Sequence, residues 1–96
     1  MLTKNEILRK LEELKPELYS DYSVVKIGLF GSYSDESFTE ESDIDIIVEL
    51  ENPLGWKFFS LQIYLEQIFD RKVDLVRPES LKDQMKGNIL SQVNYV

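Results

Sequence analysis

Two aliphatic runs of strand character, Val24–Phe30 and Ile44–Leu50, are joined by a segment that opens on Gly31-Ser32 and, ten residues later, closes on Asp43-Ile44-Asp45. That joint constrains the chain more than any other feature. A strand cut short by Gly-Ser can present backbone N–H groups and a hydroxyl to an anion. Side chains alternate along the following strand, so Asp43 and Asp45 share one face while Ile44 and Ile46 point into the core. A third acid, Asp74, lies between Val73 and Leu75 in the next run of strand character. A lone Asp-x-Asp is commonly only the wet face of a sheet edge. With the glycine, the serine and the third acid beside it, the pattern points to hard, oxygen-liganded divalent ions next to phosphate groups.

The rest of the chain supplies a frame for that joint. Thr3 and Glu6 form a capping box, which predicts a helix from Lys4 whose apolar residues are Ile7, Leu8, Leu11, Leu14 and Leu18. Pro16 lacks a backbone donor, so the helix is expected to kink or break near Leu14 and resume for about a turn. Gly28 lets a neighbouring backbone approach the first strand, and Asn52-Pro53-Leu54-Gly55 punctuates the end of the second. Residues 56–69 read as a helix in which nine of fourteen positions are apolar or aromatic. One helix face cannot hold so many, so this helix is either sandwiched in the domain or shows a second face, Trp56 and Phe59 included, to a partner. After the strand Val73–Val76, Pro78-Glu79-Ser80 leads into a last helix with Leu81, Met85, Ile89 and Leu90 on one side and Gly87 weakening its middle. Ser34, Ser37, Thr39 and Ser42 read as turn and capping residues, and Tyr33 as a packing residue. The order of elements predicts one α/β sheet with helices packed on it, in a single domain spanning residues 1–96.

Chemistry is narrowed by what is missing. The 96 residues contain no cysteine and no histidine, so any metal must be held by oxygen and no imidazole serves as base or ligand. Of the net charge of −7, much is concentrated in residues 35–51, which hold eight acids and no Lys or Arg. Such a field repels a phosphate backbone and leaves no basic stripe for long nucleic acid, whereas a basic protein partner is easily accommodated. No apolar run approaches the ~18 residues of a membrane span, and the start lacks the pattern of a secretory signal, so the expected location is cytoplasmic.

Gly31-Ser32, the ten-residue spacer, Ser42-Asp43-Ile44-Asp45-Ile46-Ile47-Val48 and Val73-Asp74-Leu75-Val76 resemble the minimal nucleotidyltransferase (MNT) domains of the DNA polymerase beta-like superfamily. The resemblance runs from the Val24–Phe30 strand through Val93-Asn94-Tyr95-Val96. It implies an α+β fold with a small mixed sheet. It also implies the role of stand-alone members, antitoxins that form type VII-like pairs with HEPN-domain RNase toxins and silence them by transferring AMP from ATP to a toxin tyrosine. By the same resemblance Gly31 and Ser32 would bind the triphosphate, and Asp43 and Asp45 would hold Mg²⁺. Asp74 would join the metal set, two ions in all, and help deprotonate the tyrosine. The chain would work as a hetero-oligomer with the toxin. Many members carry Arg-Gly shortly after the Gly-Ser turn. Asp35-Glu36 stands there in this chain, which should weaken ATP binding unless Lys57, Arg71 or Lys72 reaches in. Two other readings are a non-catalytic antitoxin that masks the toxin by binding, and transfer of AMP to a small-molecule alcohol. The second lacks a further domain to enclose the acceptor.

Overall fold

Burial of one helix face begins the architecture. In the computed structural model, which describes residues 2–96, helix α1 (Lys4–Tyr22) lays Ile7, Leu11, Leu14 and Leu18 against the sheet. Thr3 caps it as expected, its hydroxyl accepting from the Glu6 N–H at 3.2 Å and donating to the Glu6 carboxylate at 3.0 Å. The expected kink at Pro16 is corrected, because α1 runs unbroken through that position. Pro16 is exposed, so the acceptor left without an N–H faces water, and Leu14 and Leu18 on either side hold the helix against the core. Ser23 ends α1 in the left-handed conformation, φ 57°.

The strands follow the aliphatic runs. β1 (Val24–Phe30) pairs antiparallel with β2 (Ile44–Leu50), and β2 pairs parallel with β3 (Val73–Val76). A two-residue strand β4 (Asn94–Tyr95), which the sequence pattern did not signal, pairs antiparallel with β1. The sheet order is β3-β2-β1-β4, so the sheet is small and mixed, as expected. Between β1 and β2 lies a single-turn helix α2 (Gly31–Ser34). Helix α3 (Lys57–Phe69) makes the parallel crossover to β3, and a 3₁₀ turn (Pro78–Ser80) precedes α4 (Asp83–Gln92). The core lies between the sheet and α1 with α3, joining the α1 leucines to Leu61, Leu65, Phe69, Ile27, Leu29, Ile44, Ile46 and Val73. No helix among the described residues is long and apolar enough to cross a membrane.

Two expectations about the helices resolve differently. α3 is not sandwiched: Leu61, Leu65 and Phe69 are buried, whereas Trp56, Phe59 and Ile63 stand 86%, 57% and 54% exposed on the far side. α4 does not bury the apolar side expected of it, because it packs on α2 rather than on the sheet. Met85 is exposed, and Leu81, Ile89 and Leu90 are only half-buried.

β4 can dock because residue 28 has no side chain. A Cβ there would fall 2.4 Å from Val93 Cγ1 and 2.9 Å from Tyr95 Cδ1. Gly28→Val is therefore expected to detach the C-terminal strand and lower the unfolding free energy by about 1–3 kcal/mol, read in a urea titration alongside carboxypeptidase trimming of the C-terminus.

Candidate active site

Strand register assembles the site. Phe30, the last residue of β1, pairs with Asp45, and Asp45 pairs in turn with Asp74 across the parallel β2–β3 ladder. Gly31 follows Phe30 directly, so the Gly-Ser turn, Asp45 and Asp74 lie in one row across three strands. Asp43 sits two residues before Asp45 at the mouth of β2, and both Asp43 and Asp74 are exposed while Asp45 is half-buried. Ile44 and Ile46, on either side of Asp45, are fully buried in the core, which is the alternation expected there.

Gly31 is required twice over. Its φ of 75° is a conformation that L side chains rarely adopt, and a Cβ at that position would fall 2.1 Å from Asp45 Oδ2. The turn and the carboxylate therefore touch. Half-burial, then the Asp74 and Asp43 carboxylates, push the Asp45 carboxyl up to about 6 from its ordinary 3.8. Among the described residues, the ion pairs Lys10–Glu13 and Lys26–Glu49 leave this cluster uncompensated. Such a set, all oxygen, crowded and short of positive charge, fits a hard divalent cation. The three carboxylates are gathered within electrostatic reach but do not converge: among the described residues no three acidic side chains close on a single point.

The α2 turn is anchored from both sides. Tyr33 is fully buried and stacks on Phe38 with ring centroids 4.4 Å apart, so it is a packing residue as expected, and its hydroxyl has no partner. Ser34 is more than the turn residue its sequence context indicated. It is 5% exposed, donates to the Gln92 carbonyl at 3.3 Å and accepts from the Asn94 side-chain amide. A cleft of about 270 Å³ beside Gly31 is lined by Ser34, Asp35, Gln92 and Asn94. On the other flank, Gln62 and Glu66 of α3 bind the carbonyl and N–H of Val73 at 2.8 and 3.0 Å and so steady the strand that carries Asp74. Neither of these supports could be found in the sequence, since each joins segments with no local pattern in common.

Asp35 is held by local bonds and Glu36 by its backbone conformation. The Ser37 hydroxyl and N–H, at 2.6 and 2.9 Å, hold the Asp35 carboxyl below the usual carboxylate range. Glu36 adopts φ 65°, a conformation that favours glycine. Ser42 shapes the entry to β2 as expected, accepting from the Thr39 N–H at 2.9 Å. Of the three cations named as help for a phosphate, Lys57 lies over the Tyr22 ring at the opposite end of the sheet. Arg71 donates to the Glu40 carbonyl in the acidic loop, and Lys72 stays exposed at the start of β3.

The chain matches the nucleotidyltransferase domain family over residues 8–96, which takes in most of α1 as well as the strands. It is 42% identical to the protein adenylyltransferase MntA of Thermococcus cleftensis over 97 residues, covering 100% of this chain and 98% of the relative. Among solved structures it resembles a toxin-antitoxin crystal structure with AMP-PNP, with a TM-score of 0.70 and 28% identity over 98% of this chain and 72% of the other. It also resembles a complex of tri-AMPylated Shewanella oneidensis HEPN toxin with MNT antitoxin, with a TM-score of 0.68 and 26% identity over 97% and 71% of the two chains.

Two outcomes follow from the geometry. Asp45 binds a proton more tightly folded than unfolded, so its contribution to stability is full below pH 3.8 and lost as pH rises through about 6. Without metal, Asp45→Asn should be more stable than wild type at pH 8 by roughly 1–2 kcal/mol, the shift being discounted because the group is half in solvent. The gain should vanish near pH 4, and thermal melts in chelator across that range check it. Gly31→Ala should cost about 1–3 kcal/mol, read in a urea titration, because both its backbone conformation and the Asp45 carboxylate oppose a side chain there.

Proposed function

This chain belongs to the nucleotidyltransferase domain family, and on that premise we propose that it transfers AMP from ATP to a tyrosine of a HEPN-type RNase toxin and thereby neutralises it. The observation that carries the proposal is the register that sets Asp45 opposite Asp74 and against a Gly31 that tolerates no side chain. Supporting it are the relative named a protein adenylyltransferase and the similarity to the MNT partner of an AMPylated HEPN toxin.

In this reading Gly31 lets the triphosphate approach the backbone and Ser32 donates a hydrogen bond to it. Asp43, Asp45 and Asp74 would hold Mg²⁺, which when bound neutralises charge on the phosphates. The acceptor oxygen bonds to the α-phosphorus as the bond to the leaving pyrophosphate breaks, and the hydroxyl proton passes to Asp74. The exposed position of Asp74 suits this role, since an acceptor carried by another protein must reach it from solvent. The acidic stretch 35–51 gives a basic partner an attractive approach to the same end of the sheet.

A second reading is favoured by the exposed row of Trp56, Phe59 and Ile63 together with Asp35-Glu36, namely an antitoxin that masks its partner by binding alone. Incubating the protein from the adjacent gene with this chain, ATP and Mg²⁺ separates the two readings. Its intact mass should rise by one or more AMP units, and Asp43→Ala should slow the transfer at least about 100-fold. A stable complex with unchanged mass, and full neutralisation by the Asp43→Ala/Asp45→Ala double variant, would establish masking in its place.

A further inference from the structure

α2 is one turn long, too short to hold a conformation unaided, so the direction in which it aims Gly31 and Ser32 depends on what its side chains are tied to. Tyr33 ties it to the core. Ser34 ties it to the far end of the chain through the Gln92 carbonyl and the Asn94 amide, bonds that span 58 and 60 residues. Ser34 is the buried polar residue among the described side chains, and a buried hydroxyl is costly to leave without partners. Asn94 is itself set by the sheet. It pairs with Leu29, two residues before Gly31, while Tyr95 pairs with Gly28 and the Val96 N–H donates to the Ile27 carbonyl at 3.1 Å. The path from β1 to β4, through Asn94 to Ser34, and back to Gly31 by the bond from the Asp35 N–H to the Gly31 carbonyl at 3.1 Å, closes a loop around the turn.

We propose that Ser34 and Asn94 form a positioning pair that holds the Gly31-Ser32 turn in its nucleotide-binding orientation. This rests on the reading of that turn as the triphosphate site. Neither residue is asked to touch substrate. Asn94 acts through Ser34, and Ser34 acts through the turn. The C-terminal strand is then part of the active site, although it contributes no reacting group.

The test is calorimetric titration of the whole chain with AMP-PNP and Mg²⁺, with a thermal melt for each protein. Ser34→Ala and Asn94→Ala should each raise the Kd about 5- to 30-fold, the equivalent of one positioning hydrogen bond. The double variant should be no weaker than the weaker single, because both break the same link. Ser34→Thr, which keeps the hydroxyl, should recover most of the affinity. Leu54→Ala, at the opposite end of the sheet, should lower the melting temperature and leave the Kd unchanged. Wild-type affinity in both single variants, additive losses in the double, or an equal loss in Leu54→Ala would overturn the proposal. If Ser34→Ala does not fold, Asn94→Ala and Ser34→Thr decide the matter. A wild-type chain that does not bind AMP-PNP overturns the nucleotide reading and the pair with it, and that result is told apart from failure of the pair alone by the wild-type titration.

Discussion

Everything at the site depends on the pairing of Asp45 with Phe30 on one side and Asp74 on the other. A slip of one residue in either ladder would turn Asp45 into the core and bring Ile44 or Ile46 to the surface. The burial of those isoleucines against α1 and α3 therefore fixes where the acid points. Hydrophobic packing on one face of β2 sets the charge geometry on the other. This is why a small protein can maintain a cluster of like charges. The energy that keeps the carboxylates close comes from the opposite side of the sheet.

That arrangement has an electrostatic cost. Asp45 stands half-buried beside two further carboxylates, and burial first, then those charges, raise its affinity for a proton, while Lys57 lies over the Tyr22 ring and Arg71 donates to the Glu40 carbonyl. A cluster built in this way stores electrostatic repulsion. The same reasoning explains the turn at Gly31, where only a residue without a Cβ allows the backbone to rest against Asp45. Stability is given up at the turn and at the carboxylate beside it.

Much of this was legible in the residues. The boundaries of β2, the start of α1 and the shared face of Asp43 and Asp45 followed from periodicity, capping chemistry and alternation. Other features left no local trace. Pro16 reads as a break, yet α1 continues, because the solvent side of a helix can leave one acceptor to water while two leucines hold it down. The last helix reads as apolar on one side, yet it packs on α2 and leaves Met85 exposed. In α3 the sequence counted too many apolar residues for one face but could not say which face was free.

By itself, then, the sequence determined the kind of element for α1, α3, α4 and the first three strands, the oxygen-only donor set and the spacing that makes a Gly-Ser turn and an acid pair neighbours. These are properties of residue type and of distances along one segment. The tertiary structure decided the order of strands, the opposition of Asp45 and Asp74, the exposure of Trp56, Phe59 and Ile63, and the link from Ser34 to Asn94. Those depend on which distant segments share a surface, and that choice is made by the total apolar area that can be buried at once, a quantity no single stretch of sequence contains.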